Sequence, residues 1–217
     1  MTPLLDLDPD ALLTTTRSVR KRLDLTRPVD LALVRECLTI ALQAPSGSNA
    51  QRWHWLVVTD DGQRAAIGAL YRRAVMDYLD SSGSVTRLFA DDPGRAAVQQ
   101  RIGDSVVHLA EHMAEVPVLV IPCLQTASPE LPAGNQAGLW GSLLPAAWSY
   151  MLAARARGLG TAWTTLHMVY ESEVADLLGL PADVHQGALI PTAHTLGTDF
   201  KPAAREPLER VLHLDRW

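Results

Sequence analysis

The chain is short of lysine, of cysteine and of net positive charge, and each shortage removes a class of function. Its 19 basic residues against 24 acidic ones give a formal charge of -5 at pH 7 and a pI near 5.8. Binding to nucleic acid or anionic lipid draws on a basic face that releases counterions, so neither is an expected partner. Lysine occurs only at Lys21 and Lys201, which leaves guanidinium forks to serve any anion site. An arginine-rich codon usage accounts for that total equally well, so only the positions of the arginines carry information.

Cys37 and Cys123 lie far apart in apolar surroundings, which suits buried free thiols in a reducing compartment better than a disulfide. No apolar run reaches the roughly 18 residues that span a bilayer. The opening MTPLLDLDPD has neither the basic start nor the apolar run of a secretory signal. A cytoplasmic protein without membrane contact is expected. No internal repeat or low-complexity tract divides the chain, and 217 residues with 47% apolar content are enough for one core. The expectation is a single domain over residues 1–217.

Hydrophobic periodicity places the elements. Asp8, Pro9 and Asp10 open a short helix that ends near the basic cluster at residues 17–22. Over residues 30–44, Leu31, Val34, Leu38, Ala41 and Leu42 fall on one helical face. Residues 53–60 read as a strand buried on both sides, and residues 61–79 as a helix. Residues 81–94 hold turn formers without period and are the candidate for a mobile loop or lid. A helix follows to Met113. A second strand starts at Pro117, with Pro122 expected to force a bulge or an early exit. Residues 126–135 read as a loop. Residues 136–157 form a long helix, apolar around its whole circumference, which asks for a central place or a subunit interface. A third strand over residues 158–165, a short helix before Pro181 and a fourth strand near residues 187–197 complete the list. The tail is expected to run extended and packed on something. Strands alternating with helices argue for α/β, with strand order and direction open.

Three distant segments are chemically unusual: Thr16-Arg17-Ser18-Val19-Arg20-Lys21-Arg22, Pro45-Ser46-Gly47-Ser48-Asn49-Ala50-Gln51-Arg52-Trp53, and Lys201 with Arg205. A basic run alone is usually solvated, and a polar turn alone is usually only a turn. Together, cations from two segments and an amide-rich turn suit a ligand with a dianionic phosphate and a polar ring edge.

In their order and spacing these segments resemble the nitroreductase family, with its R-S-x-R, P-S-x-x-N-x-Q-x-W and R-x-P-L motifs, the last standing here as Arg205-Glu206-Pro207-Leu208. The stretch from Gly158 is similar to the family's G-L-x-T strand, with Trp163, Thr164 and Thr165 at its end. The resemblance covers almost the whole chain. It implies an α+β sandwich, a central and mostly antiparallel sheet flanked by helices, in an intertwined homodimer with FMN at the subunit interface.

By the same likeness Arg20 would lie near flavin N1, and Arg205 would bind the phosphate. Thr16, Arg17, Ser18 and Val19 would line that cradle. Pro45 and Ser46 would meet the ring or ribityl chain, Asn49 and Gln51 would add polar contacts, and Thr164 and Thr165 would donate toward N5. A cation at N1 would stabilise the charge that reduction leaves on that edge. The implied activity takes hydride from NAD(P)H and passes electrons to a nitroaromatic, quinone or similar small acceptor in a ping-pong cycle, with no protein nucleophile. A flavin-storing or redox-sensing protein, or a dehalogenase, ene reductase or dehydrogenase of the same family, are the alternatives. The chain departs from the family in having Thr16 where a first arginine is common, a role open to Lys21 or Lys201. It also has Arg52 where proline is common.

Two features compete with this reading. His108-Leu109-Ala110-Glu111-His112 matches an H-x-x-E-H zinc pattern, with Glu171 or Glu173 as conceivable third ligands, though a polar helix stripe explains it better. His167 could donate a proton on the substrate side, but capping a strand end is the simpler role. The tryptophans at 53, 55, 140 and 148 read as core, and Trp163 as a pocket residue.

Overall fold

The computed structural model describes residues 4–217. Four helices begin behind an aspartate whose carboxylate accepts backbone N–H groups of the first turn, satisfying orphan donors at the positive end of the helix dipole. Asp8 starts α1 (Pro9–Thr15), Asp30 starts α2 (Leu31–Ala41), Asp60 starts α3 (Asp61–Asp80) and Asp92 starts α4 (Pro93–His112). Two more helices follow, α5 (Ala137–Ala156) and α6 (Glu171–Leu178). Helix α6 stops at Gly179, whose φ of 67° is the left-handed cap that glycine adopts without strain.

The strands β1 (Leu23–Asp24), β2 (Trp53–Val58), β3 (Val118–Gln125), β4 (Leu159–Thr161), β5 (Val184–Gln186) and β6 (Ile190–Thr195) form one six-stranded sheet. Every pairing between them is antiparallel. The α/β class suggested by alternation alone is therefore replaced by α+β. The reason lies in the connections. Between β2 and β3 the chain runs out along α3 and back along α4, so it returns to the end it left and Val58 pairs with Leu119. A single helix would have carried it to the far end and made the neighbours parallel.

Strand β3 is paired along both edges, Cys123 standing between His54 of β2 and Gln186 of β5. Its residues from Val118 to Leu124 are all buried. Alternate side chains serve opposite layers, as the two-residue period of a strand requires. Leu119, Ile121 and Cys123 pack with Ile67, Tyr71 and Met113 from the α3 and α4 side. Val118 and Val120 pack with Val34, Cys37, Tyr150 and Met151 from α2 and α5. In that second layer the Tyr150 hydroxyl and Thr192 Oγ1 lie 3.0 Å apart and satisfy each other inside the core. Both thiols are buried and free, and burial pushes Cys37 up to about 11 and Cys123 up to about 12.

Several expectations need correction. Pro122 causes neither a bulge nor an exit: it stays in register with Trp55, and its carbonyl accepts from Gly187 N at 2.8 Å. Its missing N–H faces the junction where β6 gives way to β5 beside β3, so no ladder bond is lost. Strand β2 lies at the end of the sheet and is only half-buried, with His54 exposed. The third expected strand is short. Only Leu159–Thr161 joins the sheet, and Thr164 touches it again through an isolated bridge to Leu189. The buried face of α2 is Leu33, Val34, Cys37 and Ala41, while Leu31 and Leu42 are exposed, because the helix packs on α5 about one residue round from the expected stripe. Trp148 is exposed as well. The segment at 81–94 holds a hydrogen-bonded 3-10 turn (Val85–Arg87) and the first residues of α4. Among the described residues no helix is long and apolar enough to cross a membrane.

Candidate functional site

The N-terminal motif is stitched to β4. Val19 N donates to Thr161 O at 2.8 Å, and Ser18 forms a parallel bridge with Thr161. Gly160 allows this close approach, since a Cβ there would stand 3.0 Å from Val19 Cγ1 and 2.6 Å from Thr195 Cγ2. Val19 is core, and Thr16 is buried with its hydroxyl donating to Leu12 O at 2.6 Å. Neither side chain is offered to a ligand. Ser18 is exposed, and Arg17 is exposed while donating to Lys201 O at 3.0 Å.

Arg20 points the other way, into a cleft of about 410 Å³ lined by Tyr71, Tyr78, Val106, Trp163, Thr164 and Thr165 among others. Among the described residues it is the single charged side chain lining the cleft. Among the described residues its one hydrogen-bond partner is Ser105 Oγ at 3.4 Å, a long contact, and no carboxylate pairs with it. Burial lowers its pKa, although an arginine stays charged at any working pH. Thr164 is held by two backbone bonds to Leu189, of 3.1 and 2.8 Å, and its hydroxyl donates to Tyr71 Oη at 3.2 Å. The structure thus brings together Arg20, Trp163, Thr164 and Thr165. Sequence reasoning missed Tyr71 and Ser105, which read as ordinary positions on two amphipathic helices.

The turn after α2 lines a different cleft, of about 380 Å³, with Ser46, Gly47, Ser48 and Gln51 facing Leu139 and Ser142 of α5. Ser48, Asn49 and Gln51 all have positive φ, at 53°, 52° and 51°. Such backbone costs of order 1 kcal/mol or more per residue and concentrates at functional sites. The turn is held internally: Ser46 Oγ accepts from Gln51 N at 3.2 Å, and Asn49 Oδ1 accepts from Gln51 Nε2 at 2.9 Å. Its anchor to the body, missed in the sequence, is Ser142, whose Oγ accepts from Gly47 N at 2.9 Å and donates to Gly138 O at 2.7 Å. Pro45 is exposed beside it.

Arg205 lies in a third groove, of about 540 Å³, against Phe89, Gly94, Arg95 and Val98 at the start of α4. Its guanidinium is exposed and, among the described residues, donates only to the neighbouring Ala204 carbonyl, while Arg95 pairs with Glu206 at 3.0 Å. Of the nominated residues, Arg20, Trp163, Thr164 and Thr165 line one cleft, Ser46 and Gln51 a second and Arg205 a third, while Thr16, Arg17, Ser18, Val19, Pro45 and Asn49 line none of the three. Beyond the groove, the tail is not packed on its own chain: Leu208, Val211 and Leu214 are 63%, 63% and 76% exposed. Its exit is gripped by arginines that the sequence reading left without a role here. Arg22 donates to Leu196 O and Asp199 O, and Arg155 to Thr198 O, with both guanidinium groups against Phe200.

His167 takes neither of its expected roles. It is fully buried in a 3-10 turn (Leu166–Tyr170), and among the described residues neither ring nitrogen has a hydrogen-bond partner of normal geometry, the Gln186 side chain being only nearby. Burial drives its pKa down to about 4, an effect that the Gln186 side chain only partly offsets. In the zinc-like pattern the His108 and His112 rings stand 4.5 Å apart, but His112 Nδ1 is bonded to Glu115 at 2.8 Å. Glu171 accepts from Gln186 N, and Glu173 pairs with Arg73. No group of three potential metal ligands forms among the described residues.

An antiparallel sheet between helical layers, with an arginine in an aromatic-lined cleft, defines an α+β protein. The chain belongs to the Nitroreductase family, whose model matches residues 13–194. A 4-nitrobenzoate reductase of Nocardioides sp. (strain LMS-CY) is 38% identical over 85 residues, a match spanning 39% of this chain and 32% of that protein. Solved structures share the fold at low identity. An iodotyrosine deiodinase bound to FMN and 3-iodo-L-tyrosine has a TM-score of 0.72 at 19% identity, over 95% of this chain and 98% of that one. The FMN and NADPH-dependent nitroreductase NfnB from Sphigopyxis sp. strain HMH has a TM-score of 0.71 at 21% identity, over 97% and 100%. A BluB-like flavoprotein from Clostridium difficile 630 has a TM-score of 0.68 at 18% identity, over 97% and 100%.

Proposed function

We propose that the chain is a single-domain FMN-dependent oxidoreductase of the cytoplasm, acting as a homodimer, that takes hydride from NAD(P)H and reduces a nitroaromatic, quinone or similar small acceptor. The observation that carries this reading is Arg20, a half-buried cation in an aromatic-lined cleft without a carboxylate partner among the described residues. Such a group is stabilised by a ligand that brings an electron-rich edge. The residues present fit FMN. Arg20, Trp163, Thr164 and Thr165 would hold the ring, Ser18 and Arg205 the phosphate end, and Pro45, Ser46, Asn49 and Gln51 of a second copy would close the site. FMN, when bound, supplies the hydride-accepting ring and returns electrons to the acceptor. The chain's own part is to bind, to orient and to set charge, so no catalytic acid or nucleophile is assigned.

Two features support a dimer. The Arg20 cleft and the 45–51 turn have separate linings, which is consistent with the turn serving the ligand of a second copy. The tail also carries large apolar side chains that its own chain leaves exposed, as do α2 at Ile40 and α5 at Trp148. A nitroaromatic acceptor is favoured by the likeness to the 4-nitrobenzoate reductase.

The test is the purified chain itself. It should be yellow, dimeric by light scattering, and able to oxidise NADH or NADPH with 4-nitrobenzoate or a quinone as acceptor. Arg205→Ala should lose FMN more readily than Arg17→Ala, because a donor of Arg17 is already spent on Lys201 O. A colourless monomer indifferent to added FMN would refute the proposal, and FMN binding without turnover would refute the enzymatic part.

A further inference from the structure

We infer that Tyr71 is the hydrogen-bond donor that this chain turns toward the ring in the Arg20 cleft, with Thr164 acting behind it. The inference rests on the flavin reading above and adds a residue to it. Tyr71 sits midway along α3 and is 1% exposed, yet it lines the same cleft as Arg20, Trp163 and Thr165. The bond between the two hydroxyls has a direction: Thr164 Oγ1 gives its hydrogen to Tyr71 Oη at 3.2 Å. A threonine hydroxyl has one hydrogen, so in this arrangement Thr164 has none left for a ligand. The phenolic hydrogen of Tyr71 has no acceptor among the described residues. The donor that the N5-side threonine was expected to provide is thus displaced onto the tyrosine.

The surroundings suit that task. Thr164 is pinned by its paired backbone bonds to Leu189, so the hydroxyl behind Tyr71 is fixed in position. A donor that is itself accepting a hydrogen bond is polarised and donates more strongly. Burial raises the Tyr71 pKa, which keeps the phenol protonated. Arg20 contributes charge on the same cleft. A neutral, polarised donor beside a fixed cation interacts more strongly with a ring carrying negative charge than with a neutral one. Tyr71 should therefore favour the reduced ligand over the oxidised one.

The experiment compares the parent protein with Tyr71→Phe, Thr164→Val and the double variant, each loaded with FMN. The readouts are the dissociation constant of oxidised FMN and the midpoint potential of the bound flavin. Tyr71→Phe should keep FMN affinity within roughly threefold but lose roughly tenfold of the preference for reduced flavin, a two-electron shift of about 30 mV to more negative potential. Thr164→Val should shift the potential the same way by less. The double variant should match Tyr71→Phe, because the threonine acts through the tyrosine. An unchanged potential in Tyr71→Phe, or a shift in Thr164→Val that adds fully to it, would overturn the role given to Tyr71. If Tyr71→Phe does not fold, Thr164→Val decides alone, and an unmoved potential there refutes the relay. A parent chain that takes up no FMN would instead overturn the flavin reading and carry this inference with it.

Discussion

The Arg20 cleft and the 45–51 turn are built by opposite means. The cleft is carved from core: Tyr71 belongs to the main apolar cluster, Thr164 is locked to Leu189, and the turn that follows buries His167 completely. The 45–51 turn is exposed, carries three non-glycine residues with positive φ, and is tied to α5 through one serine. One half draws rigidity from packing, and the other holds a strained shape with a few hydrogen bonds. If the two meet across the proposed dimer, a rigid half would fix the ligand and an adaptable half would close over it.

The largest expected effect tests the packed half. His167 is held neutral, with its pKa lowered from 6.5 to about 4 by burial. In the unfolded chain the imidazole protonates below about pH 6.5 while the folded one does not, so stability is full above that value and is lost as pH falls toward 4. The loss over that window should be about 3 kcal/mol. Urea unfolding at pH 7.0 and pH 4.5 reads it directly. His167→Gln, which cannot titrate, should remove most of the fall. An equal fall in parent and variant would show that His167 is not the group responsible, and that the packed half does not depend on a neutral imidazole.

The next effect tests the tether of the exposed half. Ser142→Ala removes the acceptor of Gly47 N–H and the donor to Gly138 O. Because water can reach the exposed turn, the cost should be about 1 kcal/mol, a drop of roughly 2–4 °C in melting temperature. Amide exchange at Gly47 should quicken far more than exchange in β3. Equal quickening in both would mean that Ser142 supports the whole body and not the turn.

The sequence showed the two halves unequally. The first helix start, the apolar β3 and the long α5 were readable because an aspartate–proline start and hydrophobic runs act locally. The motif residues Arg20, Thr164 and Thr165 do share a cleft, whereas Thr16 and Val19, nominated beside them, turn into the body. Antiparallel order was not readable from periodicity, because it depends on α3 and α4 together returning the chain to the end it left. The short β1 and β5, of two and three residues, were also missed, since so few residues carry no period. Tyr71, Ser105 and Ser142 left no signal because their roles come from partners 93, 85 and 95 residues away in the chain. No tail contact could be read for the arginines at 22 and 155, yet each donates to a carbonyl where the tail departs.

The smallest expected effect separates strain from tether. Ser48 has φ 53° and ψ 22°, and its side chain is exposed with no hydrogen bond among the described residues. Ser48→Gly removes the left-handed penalty of about 1 kcal/mol but increases the entropy of the unfolded chain, so a net gain of about 0.5 kcal/mol is expected. Asn49→Gly should gain less, because asparagine tolerates this conformation and Asn49 Oδ1 would lose its bond from Gln51 Nε2. Ser48→Val should lose stability, since a branched Cβ is poorly accommodated at positive φ. The three melting temperatures, measured without FMN, should therefore rank glycine at 48 first, glycine at 49 second and valine at 48 last. A valine variant as stable as the glycine one would show that the turn relaxes out of its strained shape in solution. The exposed half would then depend on its partner subunit or ligand to acquire that shape, in contrast to the preformed cleft around Arg20.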